Sequence, residues 1–224
     1  MSVKVRWLGH NCFTLTTPKG SVILTDPYAK TFPLKLPQTE ADVVLVSHEH
    51  HDHNAVWRIE GNPLVVKRTS EYIVEHEIHI QRTEEVFRFK GIPTFHDAQQ
   101  GTQRGPNTVF VWTLEGMRFC HLGDLGHTLK DDQIAAMAPV DLLFLPTGGH
   151  VTINSQEAAM VVNQLDPKVV FPMHYKLPPV TWPLEEVDLF LNRMDRVERL
   201  DTVQVEIKEL PARRHVLVLR YDQG

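Results

Sequence analysis

The chain has 224 residues, 42% hydrophobic and 23% charged, enough apolar material for a sizeable core and too much for a disordered segment. Lys and Arg total 23 against 28 Asp and Glu, and the resulting net charge of -5 argues against a strongly basic nucleic-acid binder. The longest apolar runs, such as Val43-Val44-Leu45-Val46, are too short to span a membrane. No secretory pattern opens MSVKVRWLGH, so the expected compartment is the cytoplasm. Cys12 and Cys120 sit in strand-like runs and read as reduced core thiols. The unusual number is 13 histidines.

In chain order, Val3 to Leu8 and Cys12 to Thr16 read as strands, and Pro18-Lys19-Gly20 turns the chain into a third at Ser21 to Thr25. Ala41 to Ser47 is almost continuously apolar, which suits a strand covered on both faces. Further strands are expected at Leu64 to Lys67, Val86 to Phe95, Thr108 to Leu114 and Arg118 to Leu122. Glu71 to Gln81 is ambiguous, its alternation favouring strand and its glutamates helix. The second half alternates helices at Asp131 to Met137, Ser155 to Gln164 and Leu184 to Met194 with short apolar strands at Asp141 to Leu145 and Lys168 to Phe171. Val203 to Lys208 and His215 to Arg220 close the chain as strands. With no repeat or linker, residues 1–224 read as one α/β domain, with sheets inside and helices outside.

The chemistry concentrates in Ser47-His48-Glu49-His50-His51-Asp52-His53-Asn54, directly after the strand that ends at Val46. A catalytic metal needs several nitrogen or oxygen donors fixed together, with one coordination position left open. His48 and His50 can grip one ion from an extended turn, and Asp52 and His53 a second, while Glu49 and His51 point away. One loop cannot complete two sites, so more donors must come from other strand ends. His96, Asp124 and His174 stand there, each following a predicted strand. Taken singly, each also fits an ordinary turn or core residue; their recurrence at strand ends favours function.

The pattern His48-x-His50-x-Asp52-His53, followed by His96, Asp124 and His174, resembles the metallo-β-lactamase superfamily over nearly the whole chain. Gly9-His10-Asn11, Thr25-Asp26-Pro27, His96-Asp97, Gly123-Asp124-Leu125-Gly126-His127 and Pro172-Met173-His174-Tyr175 look most like its compact, ascorbate-phosphate-lactonase-like branch of metal-dependent hydrolases. The resemblance implies a four-layer αββα sandwich with mixed sheets inside and helices outside. It also implies His48, His50 and His96 on one metal, Asp52, His53 and His174 on the other, and Asp124 bridging them. The ions expected are two divalent cations, zinc first, with manganese or iron as alternatives. Asp124 stands where many zinc β-lactamases carry a ligand cysteine, and His50 where redox di-iron relatives carry an acid.

Around these donors, Asp26 fits either an Asp-Pro turn or a carboxylate that orients a ligand histidine. His10 fits a polar turn or a contact near the metals. His150, in the loop Gly148-Gly149-His150-Val151-Thr152, fits a plain connection or a group that reaches the substrate or leaving group. Asp97, Arg104, Tyr175 and Lys176 flank the donor segments, and Arg104 or Lys176 could hold an anionic group. The expected function is hydrolysis of an ester, lactone, amide or phosphodiester in a small substrate by a water bridged between two metals, with Asp52, Asp124 and His150 as catalytic residues. The alternatives are a nuclease or cyclic-nucleotide phosphodiesterase on the same metals, and a non-enzymatic metal-binding regulator.

Overall fold

Side-chain alternation divides the first part of the chain between two cores. In the computed structural model, which describes residues 2–67 and 72–224, the opening strands are β1 (Val3–Gly9), β2 (Cys12–Thr16), β3 (Val22–Thr25), β4 (Val43–Val46) and β5 (Leu64–Lys67). Trp7, Phe13, Ile23, Val43 and Leu45 enter the main core, whereas Leu8, Cys12, Leu24, Val44 and Val46 enter a smaller one on the opposite face. Successive strand residues point to opposite faces, so a run apolar throughout must be covered twice.

The remaining strands are β6 (Val74–Ile80), β7 (Glu85–Phe95), β8 (Pro106–Leu114), β9 (Met117–His121), β10 (Leu142–Pro146), β11 (Val169–Met173), β12 (Val197–Arg199), β13 (Gln204–Ile207) and β14 (His215–Val218). They form a six-stranded sheet ordered β13-β1-β2-β3-β4-β5 and an eight-stranded sheet ordered β12-β14-β11-β10-β9-β8-β7-β6. Both sheets are mixed. The first is antiparallel from β13 to β3 and parallel from β3 to β5; the second is parallel from β12 to β9 and antiparallel from β9 to β6.

The ambiguous segment resolves as strand β6, antiparallel to β7 with Val74 opposite Gly91 and Ile80 opposite Glu85; Glu71 lies outside the described residues. The helices are α1 (Asp131–Met137), α2 (Ser155–Leu165) and α3 (Val187–Leu191). Asn154 starts α2 by accepting from the Gln156 and Glu157 N–H groups at 2.9 and 3.0 Å, and Glu157 returns the bond to the Asn154 N–H. The third helix is shorter than its apolar spacing predicts. Its end tightens into bonds from Arg193 N to Phe190 O and from Met194 N to Leu191 O, three residues back, which closes it.

Met137 of α1 and Ala158, Val161, Val162 and Leu165 of α2 join the main core. The outer face of the first sheet is covered differently. There Tyr28, Phe32, Leu34 and Leu36 pack from an irregular segment, joined by Val180 and Leu184. Pro27, Pro33 and Pro37 remove N–H donors and fix the backbone in the first of these segments, and Pro178, Pro179 and Pro183 do so in the second. This face therefore has an apolar cover without an α-helix among the described residues. No helix among the described residues is long and apolar enough to cross a membrane.

Candidate metal centre

The donor residues follow strand ends. His10 follows β1, Asp26 follows β3, the His48–His53 turn follows β4, His96 follows β7, Asp124 lies just past β9, and His174 follows β11. Several occupy left-handed backbone, with φ of 51° at His10, 38° at Asp26 and 50° at His174. Non-glycine residues rarely hold that conformation, and where they do the surrounding fold over-determines it, often at functional sites. Gly123 is required for the same reason and one more. It has a φ of 56°, and a Cβ there would lie 2.4 Å from Asn107 Oδ1 and 2.6 Å from Ser47 Cβ.

The centre is organised around one oxygen. Asp124 Oδ2 lies 3.2 Å from His96 Nε2, 3.2 Å from His174 Nε2, 3.3 Å from His53 Nε2 and 3.9 Å from His48 Nε2. Asp52 Oδ2 lies 3.3 Å from His53 Nε2 and 3.1 Å from His10 Nε2. His50 completes a third group with His48 and His96, its ring 4.7 and 5.1 Å from theirs between centroids. It is exposed, whereas His48, Asp52, His53, His96, Asp124 and His174 are buried.

These residues fit divalent metal. Ligands about 2.1 Å from one ion lie roughly 3.0–3.5 Å from each other, the range that most of these donor pairs occupy. The Nε2 atoms of His48, His53 and His174 are buried without hydrogen-bond partners, although such atoms are normally satisfied. A cation would satisfy all three.

Behind the donors, a relay fixes the imidazoles. Asp26 Oδ1 accepts from Ser47 N at 2.7 Å, and Asp26 Oδ2 accepts from Ser47 Oγ at 2.6 Å and His53 Nδ1 at 3.2 Å. A carboxylate only accepts, so Nδ1 carries a proton in either charge state of His53, which leaves Nε2 as the atom that can give up its proton to a cation beside Asp124. Ser47 Oγ has spent its proton on Asp26 and accepts from His48 Nδ1 at 2.9 Å, which frees His48 Nε2. Asp26 is thus the orienting carboxylate, not only a turn residue.

Electrostatics follow from burial. Burial, reinforced by neighbouring imidazoles, lowers the pKa of His48 and His50 and brings that of His10 down to about 4. Burial also pushes against ionised Asp124, yet His174, His53 and His96 outweigh it and hold the carboxyl well below its usual range. Asp52 moves the same way, against burial, chiefly through His53. For His53, burial opposes the charge, but the Asp124 and Asp52 carboxylates together raise its pKa well above the usual value.

Three supporting residues were not assigned from sequence. Asn11 Nδ2 donates to Asp124 Oδ1 at 2.7 Å, leaving Oδ2 for the imidazoles. Asn107 Oδ1 accepts from Asp124 N at 3.0 Å. His121 accepts from Gly123 N on Nδ1 at 3.2 Å, so its Nε2 donates to Asn11 O at 3.0 Å. Asn11 lies in the noted Gly9-His10-Asn11 turn; Asn107 and His121 have no local signal, being polar residues within strands.

The flanking residues separate by role. Asp97 accepts from the backbone N–H groups of Gln99, Gly101, Gln103 and Arg104 at 2.8–3.0 Å and so shapes the loop that carries Arg104. Arg104 lines a cavity of about 270 Å³ together with Lys67, His48 and His50. Tyr175 is buried against Trp7 with ring centroids 5.3 Å apart, and Lys176 pairs with Glu186 at 3.4 Å. His150 is exposed, outside the donor cluster. Its loop nonetheless runs close behind His174: a Cβ on Gly148 would lie 2.1 Å from the His174 carbonyl oxygen.

Two mixed sheets gather histidine and aspartate donors at their strand ends into a cluster that could hold metal ions. The beta-lactamase superfamily domain matches residues 4–174, and the chain belongs to the metallo-β-lactamase superfamily. It is 36% identical over 207 residues to a UPF0173 metal-dependent hydrolase of Pelotomaculum thermopropionicum, covering 83% of this chain and 88% of that one. A namesake from Thermococcus onnurineus is 32% identical over 228 residues, covering 93% of this chain and 100% of the relative. A superfamily member from Thermotoga maritima superposes with a TM-score of 0.79 at 36% identity, covering 98% of this chain and 100% of that one. The chain is accordingly a metal-dependent hydrolase of this superfamily.

Proposed function

We propose that the protein hydrolyses an ester, lactone, amide or phosphodiester bond in a small anionic substrate at a centre of two divalent ions. The single observation that carries this reading is Asp124 Oδ2, which faces imidazoles from both expected ligand sets within 3.2–3.9 Å. His48, His50 and His96 would hold one ion, Asp52, His53 and His174 the other, and Asp124 both. Zinc suits this nitrogen and oxygen donor set best, with manganese and iron as the other candidates. When bound, such a pair supplies Lewis acidity and lowers the pKa of water from 15.7 to about 7.

The protein's own contribution is position. Asp26 and Ser47 keep the His53 and His48 Nε2 atoms turned inward, Asn11 holds Asp124, and exposed His50 opens the centre to solvent. Beside His50, the cavity holds two cations with different commitments. Lys67 pairs with Glu49 at 3.0 Å, whereas the Arg104 guanidinium has no carboxylate partner among the described residues. Arg104 is therefore the group to receive an anionic part of the substrate, through a paired hydrogen bond. A cavity of about 270 Å³ suits a small molecule better than a polymer strand. Two buried, unpaired thiols are consistent with the reducing cytoplasm.

A panel of lactones, phosphodiesters, esters and amides, run on protein of known metal content, tests this reading. Hydrolysis of none of them by the fully loaded protein would favour a binding role instead. On the best substrate, Arg104→Ala is expected to raise KM about tenfold for anionic members, leave uncharged ones unchanged, and spare kcat. His150→Ala is expected to keep full metal content and lower kcat by ~10²–10⁴-fold if His150 protonates the leaving group. Wild-type kinetics on a substrate with a poor leaving group would return His150 to the role of a connecting residue.

A further inference from the structure

We infer that His10 is a direct ligand of the ion assigned to Asp52, His53 and His174, so that this ion carries one more imidazole than the superfamily pattern supplies. The inference rests on the two-metal reading above. His10, Asp52, His53 and His174 are all buried, and each offers a donor atom within 4.8 Å of the other three. His10 Nε2 lies 3.1 Å from Asp52 Oδ2, the separation expected of adjacent ligands on one ion, roughly 3.0–3.5 Å. Its ring centroid is 4.2 Å from that of His174 and 4.8 Å from that of His53. Three imidazoles and one carboxylate thus converge, while the exposed His50 belongs to the other group.

The backbone fixes this placement. Gly9 and His10 are consecutive left-handed residues, with φ of 95° and 51°. A side chain on Gly9 would crowd Tyr221, Leu34 and the Tyr28 hydroxyl at 3.0–3.3 Å. Tyr28 donates to Leu8 O at 2.6 Å and Trp7 Nε1 to His10 O at 3.0 Å, so the carbonyls on both sides of Gly9 are pinned. Phe32 closes the outer side of the His10 ring at 4.5 Å between centroids. A turn built only to reverse the chain from β1 to β2 needs neither a buried imidazole nor this degree of restraint. The added nitrogen ligand would favour borderline cations such as zinc over hard ones such as manganese.

The competing role for His10 is to donate a hydrogen bond to Asp52 without touching metal. His10→Gln separates the two, because an amide N–H can still donate to Asp52 but is a weak metal ligand. Wild type, His10→Gln and His10→Ala would be loaded with zinc, titrated against a competing chelator, and studied by zinc X-ray absorption to count imidazoles. Circular dichroism of each variant establishes folding. We expect both variants to lose affinity at one of two ions by at least ~10–100-fold, with the imidazole count reduced. His10→Gln with wild-type affinity at both ions and an unchanged count would overturn the inference. Wild type that takes up only one ion would overturn it together with the two-metal reading, and that outcome is distinguishable from the former by stoichiometry alone.

Discussion

Asp124→Ala is expected to leave a folded protein that retains at most one ion and shows no measurable hydrolysis. Asp124 Oδ2 faces four imidazoles, those of His48, His53, His96 and His174, and no other carboxylate oxygen does so among the described residues. Two dications close together repel strongly at low effective dielectric, and the shared carboxylate offsets that repulsion. Losing an outer partner of a metal ligand already costs ~10–100-fold in affinity, so losing the bridging ligand costs more. The fold should survive, because alanine leaves no buried charge behind and the residue-124 N–H keeps its bond to Asn107 Oδ1 at 3.0 Å, although Asn11 Nδ2 loses its acceptor. Asn107 still donates to Thr94 Oγ1 and Leu122 O at 2.8 and 2.9 Å. Metal analysis, circular dichroism and turnover on the same preparation check this; full activity in the variant contradicts it.

Removal of metal by a chelator should abolish hydrolysis and lower thermal stability, both reversibly. At a free ion concentration a hundred times Kd, each occupied site adds ~2.7 kcal/mol to the folded state. For a chain of this size, that corresponds to a Tm roughly 5–10 °C higher for each ion restored. The uptake should depend on pH in a definite direction. In the metal-free protein, Asp124 and Asp52 raise the His53 pKa well above its ordinary value against the effect of burial. An ion ligated by His53 must displace that proton, so apparent affinity falls as pH is lowered and protons are released on binding. Calorimetry in two buffers of different ionisation heat reads the proton release. Activity that persists after complete metal removal would require different chemistry.

The cluster of donor residues was legible because its signals are local. His48, His50, Asp52 and His53 crowd into one short turn after an apolar strand, and the remaining donors stand directly after strands, as His96 and His174 do, or shortly beyond one, as Asp124 does. The orienting groups were harder to read. Asn11 and Asp124 are 113 positions apart, and His121 and Asn11 are 110 apart, so no spacing connects them. The polarity of Asn107 and His121 inside strands marks them as buried hydrogen-bonding groups only once the two sheets are packed together.

The fold shows the same division. Strands with strong alternation or continuous apolar runs kept their places to within a residue or two, from β1 to β5 and from β7 to β11, whereas the segment of β6 was ambiguous. The three-residue β12 went unread because Val197, Glu198 and Arg199 are all exposed, and pairing with β14 alone holds them extended. The cover of the first sheet was equally silent, since an apolar segment interrupted by prolines has neither a helical nor a strand period. Asp97 shows the limit at a single residue. It stands beside His96, and its carboxylate is taken up by four backbone N–H groups that only the folded loop brings together.

Metal content of the wild-type protein, combined with anomalous scattering from its crystals, tests the central claim most directly. The account predicts two ions in each chain, both ligated by Asp124, with His48, His50 and His96 on one and Asp52, His53 and His174 on the other. A single ion at full loading, or two ions with Asp124 outside either coordination shell, would contradict it.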